Sequence, residues 1–358
     1  MTTPTIHSDS QPRRRFHLPA AVVALALVGV VAAVPASASA SGKVNGVRAA
    51  VNHGKLNVTG SDGGQQVALR LKANDPSTIQ VDAGDNGSAD FSFASRAVDA
   101  IKVKLGDGND SARIDDSNGA FTGDSSSRPT TIAGGGGNDS LEGGQTQVAA
   151  QNETYKGGDG NDTVDGGKGN DTAYLGTGND TFRWDNGEGS DVIEGQDGSD
   201  TMLFNGNSVA TGENVTMSAD GGRLTFFRAQ GNVTMDTNDV EIVDFNALAG
   251  ADTALVNDLT GTDVTQTNID LAAALGGNAA DGAIDSVDVN GTNGVDNINI
   301  QGNGSGADET GLATAVSVKH ADPTASPTPD HLNVNTLAGA DHVVTNGVGG
   351  LIQLQVND

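Results

Sequence analysis

The chain has 358 residues, no cysteine, 51 glycines and only 3% aromatic residues, and its formal net charge at pH 7 is −27. The lack of cysteine excludes disulfides, thiolate metal sites, cysteine nucleophiles and a lipid-modified N-terminal cysteine. The acidity disfavours nucleic acid and anionic membranes as partners, because like charges repel, and it favours cations. Weak helical periodicity and frequent Gly, Asn and Asp residues predict an all-β fold.

Residues 1–40 have the pattern of a cleavable export signal. Arg13–Arg15 precede an apolar run, Leu18–Val34, and small residues follow it, which predicts cleavage after Ala38 or Ala40. The alternative is a membrane anchor, but the run is at the short end of what spans a bilayer. The arginines also resemble a twin-arginine signal. Since that route carries folded cargo, we favour the general secretory route and expect a secreted, extracellular protein without a stable membrane anchor.

Residues 41–133 predict an N-terminal segment of short strands. A hairpin is expected from Gly46–Val51 and Lys55–Thr59 around the turn Asn52–Gly54. The segment Asp82–Gly87 resembles the start of an EF-hand loop, but its twelfth position is Phe rather than Glu, so a plain turn is expected. Further strands are predicted by alternating apolar residues at Val67–Leu71, Thr78–Val81, Phe91–Phe93 and Ile101–Leu105.

A nine-residue repeat occupies Gly157–Leu203. Three consecutive blocks read GGDGNDTVD, GGKGNDTAY and LGTGNDTFR; two residues are then inserted around Trp184–Gly189 before the nine-residue step returns. Earlier blocks, GGGGNDSLE and LGDGNDSAR, supply Asp139 and Asp110. The equivalent aspartates of the main stretch are Asp162, Asp171, Asp180, Asp191 and Asp200.

The composition of each block favours a calcium site. Glycine permits left-handed and tightly turned backbone, which directs carbonyl oxygens inward, and the aspartate adds a carboxylate. Calcium takes about 6–8 oxygen ligands in flexible geometry. The alternative is that these runs are flexible loops or hairpin turns. Chance composition does not place G-N-D-T three times at a nine-residue spacing, with an apolar residue two places after each aspartate.

The last three residues of each block predict a very short strand with one inward side chain. One apolar side chain per nine Gly-rich residues does not offset the entropy lost on ordering them. Stacked carboxylates would also repel each other, so we expect the repeat to be disordered without calcium and to fold on binding it. The predicted inward residues are Leu141, Val164, Ala173, Phe182, Ile193 and Met202.

These blocks resemble the haemolysin-type calcium-binding (RTX) repeat family. The resemblance implies a parallel β-roll over residues 134–206, in which two nonapeptides form one coil. It places Asp162, Asp180 and Asp200 at one edge and Asp171 and Asp191 at the other. Asp139, separated from Asp162 by a longer stretch, would either cap the roll or bind weakly. The turn carbonyls implied as ligands are those of Gly158, Gly160, Gly167, Gly169, Gly176 and Gly178.

Residues 207–358 predict degenerate coils of a right-handed parallel β-helix that continues the roll. Gly-x-Asp turns recur at nearly equal intervals, at Asp252, Asp296 and Asp341. A separate β-sandwich is the alternative. Leu271–Leu275 predicts a short helix or a coil wall, and three X-Pro bonds predict a loop at residues 322–329. Strands are predicted at Gly221–Arg228, Asn232–Met235, Val240–Phe245 and Leu351–Val356.

No catalytic motif accompanies the repeat. The sequence contains no H-E-x-x-H, G-x-S-x-G or G-x-x-x-x-G-K-[ST] pattern. Residues 43–358 resemble secreted actinobacterial calcium-binding proteins, which implies a non-enzymatic extracellular component whose cell-surface or polysaccharide partner stays open. The alternative is a calcium-stabilised carbohydrate-active hydrolase or lyase on a β-helix scaffold. The single tryptophan and two tyrosines offer few sugar-stacking surfaces.

Overall fold

The computed structural model describes residues 42–121, 128–145, 151–209 and 211–358. The predicted export signal at residues 1–40 lies outside these residues. Within them the regular structure is β-strand, apart from one 3-10 turn at Ser95–Ala97. None of the described residues forms a helix of the length and apolarity that crossing a membrane requires.

The strands are short, as the frequent turn residues predict. Up to Gly198 they are β1 (Arg48–Asn52), β2 (Lys55–Thr59), β3 (Gln66–Lys72), β4 (Asp75–Ala83), β5 (Phe91–Ala94), β6 (Ala100–Asp107), β7 (Ser111–Asp115), β8 (Thr130–Gly136), β9 (Ser140–Glu142), β10 (Glu153–Asp159), β11 (Thr163–Asp165), β12 (Thr172–Gly178), β13 (Thr181–Trp184) and β14 (Val192–Gly198). After Gly198 they are β15 (Thr201–Asn205), β16 (Asn214–Asp220), β17 (Arg223–Arg228), β18 (Val233–Asn238), β19 (Ile242–Asn246), β20 (Thr253–Val256), β21 (Gln266–Asp270), β22 (Ser286–Asn290), β23 (Asn297–Gly302), β24 (Ala307–Thr310), β25 (Ala315–Lys319), β26 (His331–Asn335), β27 (His342–Asn346) and β28 (Gln353–Asn357).

Successive strands of the repeat alternate between two parallel sheets. In sheet 1, Tyr155 of β10 lies opposite Ala173 of β12, and in sheet 2, Val164 of β11 lies opposite Phe182 of β13. One coil therefore takes one strand from each sheet. Each of these pairs is offset by two nonapeptides, which confirms the parallel β-roll that the repeat implies.

The two sheets run through nearly the whole described chain. The order of sheet 1 is β1-β2-β6-β8-β10-β12-β14-β18-β17-β16-β20-β22-β26-β28, and the order of sheet 2 is β27-β23-β24-β25-β21-β19-β15-β13-β11-β9-β7-β3-β4-β5. The predicted hairpin of β1 and β2 is present, but β2 also pairs in parallel with β6. Downstream of the repeat, β20, β22, β26 and β28 pair in parallel. The β-sandwich alternative is therefore wrong.

Three antiparallel meanders interrupt the parallel stacking, and the sequence did not predict them. They are formed by β3 to β5, by β16 to β18 and by β23 to β25. The second meander joins the stack through parallel pairing of β14 with β18 and of β16 with β20. Leu271–Leu275 is not a helix; it forms bends and an isolated bridge from Ala272 to Ala280.

The core fills the space between the two sheets with one face of most strands; β27 and β28, at the end of the chain, contribute no fully buried residue. The six inward residues predicted for the repeat are all buried, with at most 1% of their surface exposed. At the downstream end of the roll, Trp184 stacks on Phe204 with ring centroids 4.0 Å apart, and Phe226 and Phe245 pack against Phe204. This aromatic cluster fills the core where the two-residue insertion departs from the repeat.

Candidate metal centre

A column of aspartates follows the edge at which the chain passes from sheet 1 to sheet 2. Each backbone N–H donates to Oδ1 of the aspartate one coil further on, at 2.7–2.8 Å. The column ends at Asp200, whose N–H donates to Oε2 of Glu241 at 2.7 Å. We call this set the first-edge column: Asp110, Asp139, Asp162, Asp180 and Asp200.

A second column lies at the opposite edge, where the chain returns from sheet 2 to sheet 1. The N–H of Glu153 donates to Oδ1 of Asp171 at 2.6 Å, and the N–H of Asp171 donates to Oδ1 of Asp191 at 2.8 Å. Asp191 keeps this place even though the insertion lies just before it. The aspartates are thus divided between the two edges as the family resemblance implies, and Glu153 is an addition that the sequence pattern did not identify.

The turn asparagines form a second set of contacts between coils, in which the backbone N–H donates to the preceding coil. The N–H of Asn161 donates back to Oδ1 of Asn138, and that of Asn179 donates back to Oδ1 of Asn161, each at 2.9 Å. Within the block GNDT, therefore, the N–H of asparagine donates to the preceding coil and the N–H of aspartate donates to the following coil. This explains why N-D recurs as a pair, a role that sequence analysis had not assigned to the asparagines.

One oxygen of each column aspartate is left without a partner. The Oδ1 atoms accept backbone hydrogen bonds, whereas the Oδ2 atoms are buried and have no hydrogen-bond partner among the described residues. Buried carboxylate oxygens normally require such a partner. The seven aspartates concerned are Asp110, Asp139, Asp162, Asp171, Asp180, Asp191 and Asp200. A cation beside each Oδ2 would satisfy them, and hard oxygen donors suit calcium.

In four of the blocks a glycine lies next to the column carboxylate, whereas Leu105 and Leu175 hold the same position before Asp110 and Asp180. A Cβ added at Gly157 would lie 2.3 Å from Oδ2 of Asp162, and one added at Gly195 would lie 2.6 Å from Oδ2 of Asp200. Since real Cβ atoms do not approach another heavy atom that closely, Gly157 and Gly195 preserve the space that Oδ2 of Asp162 and of Asp200 occupies.

The other glycines bring turn carbonyls of successive coils close together. Gly158 and Gly160 have φ of +129° and +121°, and Gly176 and Gly178 have similar values. A Cβ at Gly176 would lie 2.0 Å from the carbonyl oxygen of Gly158, and one at Gly178 would lie 2.0 Å from that of Gly160. At the second edge, Gly167 and Gly169 also have positive φ. Carbonyl and carboxylate oxygens are therefore concentrated in the same turns.

Burial makes the ionised aspartates unfavourable when no cation is bound. It raises the pKa of Asp162 to about 7 and that of Asp139 and Asp200 to about 6, with smaller contributions from neighbouring carboxylates. At the second edge, burial and then the charge of Glu153 raise the pKa of Asp171 to about 9. A divalent cation would reverse these shifts, because it stabilises the charged form.

Similar columns continue beyond residue 206. On the second edge the N–H of Glu213 donates to Asp252, that of Asp252 to Asp285 and that of Asp285 to Asp330. Oδ2 of Asp252 and of Asp285 is again buried without a hydrogen-bond partner among the described residues. On the first edge, the N–H of Asp296 donates to Asp341 at 2.9 Å.

The three downstream turns noted in the sequence are therefore not one series. Asp252 lies at the second edge, whereas Asp296 and Asp341 lie at the first. Asp285 was not recognised as a member, because its turn reads Gly282-Ala-Ile-Asp285 and lacks the Gly-x-Asp spacing of the other three. Its position after Gly282, which has φ of +82°, was the available signal.

The stacked Asp and Gly turns define a calcium-binding β-roll. Residues 128–145, 149–182 and 187–207 match the family model of the RTX calcium-binding nonapeptide repeat, in four copies. These residues therefore carry that repeat, and calcium is the ion that such repeats bind. Comparisons of the chain with curated proteins and with solved structures each found no match.

Proposed function

We propose that the chain is a secreted, non-enzymatic protein whose roll, residues 134–206, folds when it binds calcium. Residues 41–133 and 207–358 are proposed to extend the same two sheets on either side. The proposed calcium ligands are carboxylates of the two columns together with turn carbonyls: Asp139, Gly158, Gly160, Asp162, Gly167, Gly169, Asp171, Gly176, Gly178, Asp180, Asp191 and Asp200.

The observation that carries this proposal is the row of buried, unpartnered Oδ2 atoms. Oδ1 of Asp180 is held at 2.7 Å by the N–H of Asp162, which fixes the direction of the carboxylate and leaves Oδ2 for a ligand. Without a cation these carboxylates oppose folding through burial and mutual repulsion. With a cation the same groups join adjacent coils, so that metal affinity becomes folding free energy.

Far-UV circular dichroism during a calcium titration tests this proposal. The mature protein, residues 41–358, is taken from chelator to millimolar calcium, with magnesium as the control ion. A cooperative gain of β signal with calcium alone supports the proposal, because magnesium demands stricter octahedral geometry than stacked turns provide. β structure that is already complete in chelator, and unchanged by calcium, would contradict it.

A carbohydrate-active enzyme is the second candidate, and one cavity favours it. A cavity of about 440 Å³ lies over β21, β24 and β25, and Asp308, Lys319 and Asn268 are among its lining residues. A groove with carboxylates and a cation is what a polysaccharide hydrolase or lyase would need. However, Glu309, the second carboxylate beside this cavity, is fully buried. This arrangement leaves Asp308 without an accessible carboxylate partner in the cavity lining, so we rank the enzyme second.

A screen of acidic polysaccharides with calcium-loaded protein separates the two candidates. Hydrolysis would release reducing ends and a lyase would create an unsaturated, absorbing product, and either activity should be lost in Asp308→Asn. Cleavage that depends on Asp308 would establish the enzyme. Intact polymers together with calcium-dependent folding would retain the non-enzymatic proposal.

A further inference from the structure

Three carboxylates meet at a place that is not part of either aspartate column. Asp165 ends β11, whereas Asp185 and Glu188 lie in the loop that follows β13, where the two extra residues enter the repeat. One carboxylate oxygen from each residue lies within 4.8 Å of the other two. None of the three occupies the aspartate position or a glycine position of a nonapeptide turn.

Glu188 has an oxygen that no described group satisfies. Only 7% of the residue is exposed. Its Oε2 accepts the N–H of Asp185 at 2.7 Å, which fixes the carboxylate within the loop, but its Oε1 is buried and has no hydrogen-bond partner. Leaving a buried charged oxygen unpaired is costly, so the position of Oε1 calls for a ligand.

The other two carboxylates are held in place by the surrounding chain. Oδ1 of Asp165 accepts the N–H of Gly167 at 3.0 Å, and Oδ1 of Asp185 accepts Nδ2 of Asn205 at 2.7 Å. The Asp185 side chain is 43% exposed, whereas that of Asp165 is 5% exposed. Each of the three carboxylates is thus held by a hydrogen bond, and the partly exposed Asp185 gives access from solvent.

The charges near the cluster do not balance. Arg183 pairs with Asp165, and its Nε lies 3.5 Å from Oδ2 of Asp185. Lys168 donates instead to the carbonyl of Gly187 in the same loop. Three carboxylates against the one guanidinium that contacts them leave a formal charge of −2 in the cluster. A single divalent cation would neutralise that charge and satisfy Oε1 of Glu188.

We propose that Asp165, Asp185 and Glu188 form a separate binding site for a hard divalent cation. Calcium is the expected ion, because the surrounding repeats are of the calcium-binding type. The bound ion would link the inserted loop to the end of β11. The two-residue insertion would then be a second cation site built into the roll rather than a defect in the repeat. This inference goes beyond the turn sites and does not depend on how many of them are filled.

Terbium, which replaces calcium at oxygen sites, provides the direct probe. Trp184 is the only tryptophan, it precedes Asp185, and its Nε1 donates to the carbonyl of Gly189 at 2.8 Å. Excitation of Trp184 should therefore sensitise terbium bound in the cluster. Glu188→Gln keeps the size of the side chain and removes its charge, so the sensitised emission should fall, and terbium in the neighbouring turns should supply the emission that remains.

Ion counting by native mass spectrometry completes the test. At saturating calcium, full-length Glu188→Gln should hold one ion fewer than the wild type. The control Glu194→Gln makes the same chemical change at a carboxylate paired with Arg223 and should lose none. Equal ion counts and equal terbium emission in wild type and Glu188→Gln would overturn the inference.

The failure of this inference can be told apart from failure of the calcium-dependent roll. A wild type that shows no calcium-dependent folding contradicts the proposed function, whereas normal folding with an unchanged ion count in Glu188→Gln contradicts only the additional site. If Glu188→Gln does not fold, Asp185→Asn provides the same comparison at a partly exposed ligand. Loss of one ion in that variant supports the site, and an unchanged count overturns it.

Discussion

The backbone N–H of Asp162 donates to Oδ1 of Asp180 at 2.7 Å, across one full coil of the roll. Asp180 therefore holds the preceding turn with one oxygen while its Oδ2 stays buried and unpartnered. Structural and ligand roles are thus divided between the two oxygens of one carboxylate. This division makes the consequences of single substitutions specific.

Asp180→Asn should weaken calcium binding without removing the contact between coils. The amide oxygen can still accept the N–H of Asp162, but the charged ligand is lost. Losing a charge-assisted contact costs about 1.5–3 kcal/mol, which corresponds to roughly 10- to 100-fold in affinity. Calcium titration followed by circular dichroism would show a higher midpoint and reduced cooperativity. Asp197→Asn, an exposed aspartate in the same roll, is the control, and an equal shift in both variants would contradict the ligand role.

Gly157→Ala should destabilise the calcium-bound roll. The added Cβ would lie 2.3 Å from Oδ2 of Asp162 and 2.2 Å from the carbonyl oxygen of Leu175. Overpacking of this kind costs about 1–3 kcal/mol, and here it also displaces a proposed ligand. Gly349→Ala adds the same methyl group where nothing lies within 4 Å and should change the melting temperature little. Similar melting of the two variants in calcium would be inconsistent with a close-packed turn.

In the absence of calcium, mild acid should promote partial folding of the roll. Burial raises the pKa of Asp162 from 3.8 to about 7 and that of Asp139 and Asp200 to about 6. A raised carboxyl pKa contributes stability that is full below the unfolded value and is lost as the pH rises through the folded value. In chelator, therefore, the β signal should be greater at pH 5 than at pH 8. In calcium the dependence should reverse, since protons compete with the ion.

Arg228→Gln should destabilise the second meander strongly. Arg228 in β17 forms two hydrogen bonds with Glu213, of 2.5 and 2.8 Å, and both residues are buried. Removing one partner of a buried pair costs about 3–5 kcal/mol. Arg223→Gln breaks more exposed pairs with Glu194 and Asp236, each of which typically contributes about 0–1 kcal/mol. Thermal unfolding in saturating calcium would reveal the difference, and equal losses would contradict it.

Trp184 should report the folding of the roll by fluorescence. Its ring is fully buried and stacks on Phe204 at 4.0 Å, and it is the only tryptophan. If calcium drives folding, its emission should shift to the blue with the same midpoint as the β signal. A tryptophan that is already blue-shifted in chelator would mean that this part of the core forms before the metal binds.

The sequence was sufficient to predict the coils of the repeat, because each nine-residue block contains both one turn and one strand. Val164 and Phe182 are both inward, and Asp162 and Asp180 lie one coil apart, as the nine-residue spacing requires. Backbone geometry imposes this spacing: the left-handed turn requires glycine, and the short strand presents one side chain to the core.

The meanders and the downstream columns could not be predicted in the same way. Gly221–Gly222 between β16 and β17 is a signal for a hairpin, but the alternation of β16 to β18 does not indicate that they insert into a parallel sheet. Glu153 and Asp285 enter the columns through long-range register rather than a local motif. The cluster of Asp165 and Glu188 likewise depends on where an insertion folds back, which local spacing does not determine.

The alternation of Asp and Asn contacts also has a mechanical meaning. Each contact joins one coil to the next, so a pull along the stacking direction would load the turns one after another. Cations bound between the turns would then resist the separation of neighbouring coils. The force needed to unwind the roll would therefore depend on the concentration of calcium around it. Such a molecule would be stiff where calcium is plentiful and would yield where calcium is scarce.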